Sequence, residues 1–283
     1  MTSKVVAIVG ASGNVGKVFT DRFLIANAFQ LRVLVRASSL DSPTYQAYKQ
    51  RGAQLRLIDF EDEVSIVDAL NGVDVFISTV AGPAWSAQFP LARAASKAGV
   101  KVFFPSEYGS DFEDNLPWPP AQIQKNVRKT AQELGLPIAI LWNAAFPELV
   151  ITSELGWSFA EKKVTIWGDG NTKLGWTTVR SVADWLTHVL KTVPIEQLKN
   201  RQFKIQASSY TYNEIVTLWE QKYNDKLAVE HRSLKELEDR FAANPNDVFA
   251  ALMLELASGR MNIGGHDNSI YPDWQPDSVE SVL

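Results

Sequence analysis

The chain contains no cysteine and only three histidines, His188, His231 and His266, in 283 residues. The first absence removes disulfides, thiolate nucleophiles, iron–sulfur clusters and cysteine-rich zinc sites together. The second leaves no two-histidine helical motif, so no metal site is expected. Basic residues are not in excess: 28 Lys and Arg stand against 32 Asp and Glu, a formal net charge of −4, which argues against a nucleic-acid footprint. Long apolar runs are missing too. The longest, Leu136 to Trp157, is interrupted by Asn143, Pro147 and Glu148 and falls short of the ~20 apolar residues that span a bilayer. The early stretch Val5 to Val9 is too short for a secretory signal and flows into a glycine pattern with no small-residue cleavage site. Neither nucleic acid nor membrane is expected as a partner, and a reducing, cytoplasmic setting is the expectation. No internal repeat or low-complexity segment stands out.

What is present is an ordinary globular composition, 46% hydrophobic and 21% charged. The length allows one large domain or two fused lobes. Up to about residue 145, short β-branched runs alternate with amphipathic stretches. Strands are predicted at 5–9, 31–35, 55–58, 74–79, 101–104 and 137–142, with helices at 14–27, 43–51, 64–70, 86–98 and 120–134. Continuously apolar strands separated by helices mean a parallel sheet covered on both faces. Beyond 145 the rhythm changes. A strand at 164–167 leads into Gly168-Asp169-Gly170-Asn171, a tight-turn signal. A helix at 181–192, a short strand at 203–206 and helices at 213–222, 234–243 and 247–258 follow. The expected organisation is an α/β domain over 1–145 and a smaller lobe over 146–283. Seven of the nine tryptophans lie beyond residue 140. Core packing accounts for most of them, and one or two are candidates to line an aromatic pocket.

The strongest chemical signal is Gly10-Ala11-Ser12-Gly13-Asn14-Val15-Gly16, which follows the first strand and opens the first helix. Gly10 permits the tight turn, Gly13 lets a pyrophosphate approach the backbone, and Gly16 lets the helix lie against the sheet. The N–H groups of the helix N-terminus, with Ser12, Asn14 and Val15 in the turn, suit phosphate. An NAD site usually carries Asp or Glu at the end of the second strand. This chain carries Arg36-Ala37-Ser38-Ser39. A guanidinium forks onto a 2′-phosphate and Ser38 adds a hydrogen bond, so NADP(H) is expected. Asp59 and Phe60 after the third strand are placed to touch the adenine. Thr79, Val80 and Ala81 after the fourth are placed to pass beneath the cofactor. Tyr45-Gln46-Ala47-Tyr48-Lys49 satisfies Tyr-x-x-x-Lys, but it follows the second strand, on the adenosine side, and is read as a packed helix face.

The Gly-x-x-Gly-x-x-Gly spacing, Val35-Arg36 and Phe103-Phe104-Pro105-Ser106-Glu107-Tyr108-Gly109 resemble the isoflavone-reductase-like and NmrA-like families of the atypical short-chain dehydrogenases. Gly168 to Lys173 is similar to their turn in the substrate lobe, and Pro272-Asp273-Trp274-Gln275-Pro276 is similar to the C-termini of fungal members. The resemblance covers nearly the whole chain. It implies an NAD(P)-binding Rossmann fold with a parallel sheet plus a smaller C-terminal α/β substrate lobe. It also implies either NADPH-dependent reduction of small aromatic compounds or, in a regulator branch, cofactor binding without turnover.

In the resembling reductases a lysine on the helix after the Pro-Ser-Glu stretch carries the proton, and Lys125 is the candidate. Position 121 is alanine, so no tyrosine stands one turn before it. The family's lysine is followed three residues later by a small apolar residue and eleven later by a glycine. Counting back from Val127 and Gly135 puts Gln124 in that slot, and one residue on a helix is a rotation of ~100°. Asn143, after the sixth strand, is placed to orient the carboxamide. Tyr108 replaces the family's Phe and is a second candidate proton donor, while Glu107 is read as structural. The expectation is an NADPH-dependent reductase of a small, electrophilic, aromatic substrate, the hydride chemistry belonging to the cofactor. The alternative is an NADP(H)-sensing regulatory protein, which alone would call for a protein partner or a homodimer.

Overall fold

The computed structural model describes residues 3–111 and 118–283. In chain order the elements are β1 (Val5–Val9), α1 (Asn14–Ala26), β2 (Gln30–Arg36), α2 (Pro43–Gln50), β3 (Gln54–Ile58), α3 (Glu63–Leu70), β4 (Val75–Ser78), α4 (Gln88–Lys97), β5 (Val102–Phe104), α5 (Pro119–Glu133) and β6 (Ala139–Trp142). There follow α6 (Pro147–Val150), β7 (Trp157–Ser158), β8 (Lys163–Trp167), β9 (Leu174–Trp176), α7 (Val179–Thr192), α8 (Ile195–Leu198), β10 (Arg201–Lys204), β11 (Ser208–Tyr210), α9 (Tyr212–Tyr223), β12 (Ala228–Arg232), α10 (Leu234–Ala243) and α11 (Val248–Ala257). Among the described residues, no helix is long and apolar enough to cross a membrane.

Two compact units divide the chain. The first takes residues up to Glu107, then Gln122–Leu141 and Ala183–Phe203; the second takes Tyr108–Ala121, Trp142–Val182 and Lys204–Leu283. The single cut expected at 145/146 differs from this division in three segments, 108–121, 142–145 and 183–203. Residues 183–203 join the first unit because Arg22 pairs with Asp184. Lys4 Nζ also caps the carboxyl end of α7 through the Leu190 and Val193 carbonyls, at 2.5 and 2.8 Å. Residues 108–111 and 118–121 join the second because Trp118 and Ala121 cluster with Ala251 and because Ser110 Oγ donates to Glu255 Oε1.

The first unit is a Rossmann fold. Its parallel sheet has the order β3-β2-β1-β4-β5, and a parallel bridge between Phe103 and Ile138 continues the sense of β5 toward β6. Registers such as Val9↔Leu34, Arg36↔Ile58 and Val9↔Ser78 align the carboxyl ends of these strands along one edge. The strands are apolar because both faces are covered: Val6, Ala7, Ile8, Val33, Val75, Phe76 and Phe103 are inaccessible to solvent. Local chemistry sets the helix starts. Pro43 begins α2 with the fixed φ that a first turn tolerates, and Asp62 accepts the Val64 N–H at 3.0 Å to cap α3.

In the second unit β8 lies between β7, antiparallel, and β12, parallel. A separate antiparallel pair joins β9 to β11. Gly168–Asn171 therefore carries the chain from one sheet to another rather than closing a hairpin. Gly168 and Gly170 both take positive φ, and Asn213 Nδ2 fastens the turn to α9 through Asp169 O and Asn171 Oδ1 at 2.9 and 2.8 Å. Helix α9 opens with a Thr211/Glu214 capping box. The tryptophans here are mainly core: Trp157 and Trp176 pack on Tyr212, and Trp219 stacks on Phe159 at 5.6 Å.

The tightest packing in the first unit is where α1 crosses β1 and β4. A Cβ on Gly16 would lie 2.2 Å from the Gly10 carbonyl oxygen and 2.5 Å from Thr79 Oγ1, whereas one on Gly13 would meet only Gly10 O, at 3.3 Å. Gly16→Ala is therefore expected to lower stability by about 1–3 kcal/mol through overpacking, and Gly13→Ala by much less. Urea unfolding of the two variants checks this, and equal losses would contradict the packing argument.

Candidate cofactor turn and active site

The glycine turn is built by the end of β1 and the start of α1. Gly10 has φ +83°, and a side chain there would run into the backbone carbonyl of Thr79 at 2.8 Å. Thr79 in turn ties β4 to β1 through its N–H and hydroxyl, both donated to Val9 O at 3.0 and 2.7 Å. Gly13 caps α1 in an extended conformation, with no side-chain cap and no acidic residue in the first turn. The first N–H groups of the helix are thus left for a ligand. Ser12, Gly13 and Asn14 are exposed, Val15 is half-buried and Gly16 is buried. Gly13 is exposed, a Cβ there would meet only Gly10 O, and the helix dipole faces outward at this turn, so these residues fit a pyrophosphate.

The back of the turn is held by residues that sequence reasoning dismissed. Tyr45 and Tyr48 on α2 are both buried. Tyr48 Oη donates to Ala11 O at 3.0 Å and Tyr45 Oη to Ser12 Oγ at 3.3 Å. Burial pushes the Tyr48 phenol well above its ordinary value, so it stays a donor. The Tyr-x-x-x-Lys match is a decoy as a catalytic pair, and its tyrosine spacing, three apart on one helix face, is the signal that could have revealed the supporting role.

Along the same carboxyl edge lie Arg36, Ala37 and Ser38, all exposed at the end of β2. Asp59 follows β3, exposed, its Oδ1 accepting the Glu61 N–H at 3.0 Å, with Phe60 half-buried against the first core. Thr79 and Val80 follow β4, buried, and Ala81 is exposed. The structure thus brings together on one edge every cofactor candidate from Gly10 to Ala81.

Helix α5 buries Gln124, Val127 and Ala131 on one face and leaves Lys125 half-buried on its flank. The inward slot is occupied by Gln124, and no local shift exchanges it with Lys125. Arg128, one turn on from Gln124, lies 3.8 Å from the buried Glu107 carboxylate. The Ser106 N–H is held by Gln88 Oε1 at 2.6 Å, which fixes the strand end before Glu107.

Asn143 and Tyr108 belong to the second unit. Gly109 O accepts the N–H groups of both Asn143 and Ala144, at 3.0 and 2.9 Å, and Ala144 takes φ +61° to make this fit. Asn143 is completely buried; its Nδ2 donates to Ala144 O at 3.2 Å, and its Oδ1 has no partner among the described residues. Tyr108 packs against Phe146 with ring centres 6.5 Å apart, and burial raises its phenol far above the usual range.

Comparison with known proteins agrees with this frame. The model of the NmrA-like family matches residues 2–257. Isoflavone reductase homolog P3 of Arabidopsis thaliana is 30% identical, the match covering 98% of this chain and 96% of that protein. Phenylcoumaran benzylic ether reductase 1 of the same plant is 28% identical, with 100% and 99% covered. The binary complex of leucoanthocyanidin reductase with NADPH from Vitis vinifera shares the fold, with a TM-score of 0.82 at 21% identity, covering 98% of this chain and 97% of that one. These relatives come from plants, so the fungal likeness of Pro272–Pro276 finds no support among them. The glycine turn, the sheet order and the length of these matches together place the chain in the NmrA-like family.

Proposed function

We propose that this chain is an NADP(H)-dependent oxidoreductase acting on a small, electrophilic, aromatic substrate. The observation that carries the cofactor is the uncapped, acid-free N-terminus of α1 at the exposed Gly13, with Arg36 rather than a carboxylate on the same edge. The names of the relatives, reductases of aromatic compounds, support the reaction class. In this reading the N–H groups from Asn14 onward hold the pyrophosphate, and the Arg36 guanidinium with Ser38 holds the 2′-phosphate. The cofactor, when bound, supplies the hydride. The first unit would be the nucleotide-binding domain and the second would carry substrate-binding residues.

Lys125 is proposed as the acid–base group. Gln124 cannot exchange a proton near neutral pH, and burial has made the Tyr108 phenol a poorer acid. A general acid works best with a pKa near the working pH, which counts against the Tyr108 phenol and leaves Lys125, the ionisable side chain on the flank of the same helix face as Gln124. The burial of Gln124 in the inward slot also favours a second reading, in which the chain binds NADP(H) without turnover and reports the redox state to a partner. Consumption of NADPH across a panel of aromatic substrates separates the two: tight binding with no consumption supports the sensor.

Gly13→Val is expected to abolish NADPH binding while the chain stays folded, as calorimetry and circular dichroism would record; undiminished affinity would move the site elsewhere. Arg36→Asp is expected to weaken NADPH by roughly ten- to hundredfold, the ~1.5–3 kcal/mol of a charge-assisted pair, and NADH far less. Equal losses would refute the 2′-phosphate contact. Lys125→Ala is expected to lower kcat by ~10²–10⁴-fold with NADPH affinity held within a few fold, whereas Gln124→Ala changes kcat little. Turnover that survives Lys125→Ala but falls with Tyr108→Phe would transfer the proton to the phenol.

A further inference from the structure

The Tyr-x-x-x-Lys match on α2 leaves two buried phenols against the glycine turn. Tyr45 and Tyr48 lie three apart on one helix face, only 5% and 2% exposed, and pack edge-on with ring centres 6.1 Å apart. Ring packing alone would be served as well by phenylalanine, so the hydroxyls need their own account. They end on different kinds of atom. Tyr48 Oη donates to a backbone carbonyl, Ala11 O, in a buried bond. Tyr45 Oη donates to a side chain, Ser12 Oγ, in a bond that is part-buried because Ser12 itself is exposed.

The acceptor decides what each phenol can do. A carbonyl oxygen only accepts, so Tyr48 fixes the path of the backbone and passes nothing on. A serine hydroxyl both accepts and donates, and its proton rotates to suit its partners. A phenol is the stronger acid of the two hydroxyl types, so Tyr45 gives its proton and Ser12 receives it. The Ser12 proton is thereby turned away from Tyr45, and the bond entering its oxygen polarises the O–H toward the next acceptor. Among the described residues, the one hydrogen bond at the Ser12 side chain is the one accepted from Tyr45. Ser12 stands one position before Gly13, the residue that opens α1 without a side-chain cap or an acid in the first turn. An acceptor seated on the free N–H groups of that helix is the partner this geometry suits.

We propose that Tyr45 is a positioning residue for the cofactor: by donating to Ser12 Oγ it directs the Ser12 proton at the phosphate held at the start of α1. The proposal rests on the reading that this turn takes the pyrophosphate of NADP(H). A hydroxyl directed before the ligand arrives loses less freedom on binding. The two tyrosines then divide the work, Tyr48 holding the backbone of the turn and Tyr45 orienting its one hydroxyl.

A double-mutant cycle on NADPH affinity, read by calorimetry on the full chain, tests this. Ser12→Ala is expected to weaken NADPH by roughly ten- to hundredfold, the worth of a hydrogen bond to a charged group. Tyr45→Phe, which keeps the packed ring, is expected to weaken it by about 2- to 12-fold in the parent, the worth of one net hydrogen bond. In the Ser12→Ala background the same change costs less than about twofold, because no hydroxyl is left to direct. Adenosine 2′-monophosphate carries the phosphate assigned to Arg36 and none for the turn, so Tyr45→Phe leaves its affinity unchanged. A merely structural tyrosine would weaken both nucleotides and would do so with or without the serine. The proposal is overturned if Tyr45→Phe, with circular dichroism matching the parent, binds NADPH as tightly as the parent. It is overturned as well if the loss is undiminished in the Ser12→Ala background, or if adenosine 2′-monophosphate loses affinity by the same factor. A parent chain that does not bind NADPH fails the cofactor reading and takes this proposal with it, whereas binding without the Tyr45–Ser12 coupling fails this proposal alone.

Discussion

The close crossing of α1 over β1 and β4 is the constraint on which the first unit depends. Gly10, Gly16 and Thr79 meet so tightly that a single methyl group at either glycine would overlap a carbonyl or a hydroxyl oxygen. Glycine at both positions lets the helix start against the sheet, and that start aims the free N–H groups of α1 at the space above Gly13. Thr79 joins the two functions, since its N–H and hydroxyl both bond to Val9 O and so lock β4 to the strand that carries the turn. Packing and the proposed phosphate site thus share the same few atoms. The buried pair Tyr45 and Tyr48 completes the arrangement by holding the backbone of Ala11 and the side chain of Ser12 from behind.

This is also why the first unit is readable from sequence. A strand buried on both faces must be apolar throughout, and a strand–turn–helix joint this tight must carry glycine at fixed spacing. Val5–Val9 and Gly10–Gly16 satisfy both, and the cofactor candidates Arg36, Asp59 and Thr79 follow as the residues at successive strand ends. The second unit offers no such handle. Strand β12 is fully exposed and reads Ala-Val-Glu-His-Arg, so no alternation marks it. Strands β9 and β11 have three residues each, shorter than any pattern can register. Residues 183–203 look like part of the later lobe because they follow it in the chain. Their partners, Lys4 and Arg22, lie more than 150 positions away, and only the folded chain shows the join.

The helix after the Pro-Ser-Glu stretch shows where sequence reasoning stops. Its periodicity gives the helix, and the buried positions Ala121, Gln124, Val127 and Ala131 give its inward stripe. A residue one position off that stripe is turned by ~100°, yet a lysine side chain is long enough to reach around the flank. Orientation of the backbone and reach of the side chain are different quantities. The first is periodic and legible; the second is not. Gln124 and Lys125 can therefore both be near one ligand while only one of them can move a proton.

Unpaired polar atoms deep in a protein are few because each one sacrifices the hydrogen bonds it had in water. Among the described residues, Asn143 and Tyr212 of the second unit each carry one. Asn143 Oδ1 is left bare while the same residue's N–H and Nδ2 are both engaged, and the Tyr212 hydroxyl is bare while its ring is packed on two tryptophans. In each case an apolar residue of similar shape, leucine for Asn143 or phenylalanine for Tyr212, would have been more stable in isolation. The cost at Asn143 falls beside Ala144, whose positive φ lets both N–H groups reach Gly109 O. The backbone N–H and Nδ2 of Asn143 are satisfied within the loop that Gly109 and Ala144 form, so only the amide oxygen bears that cost.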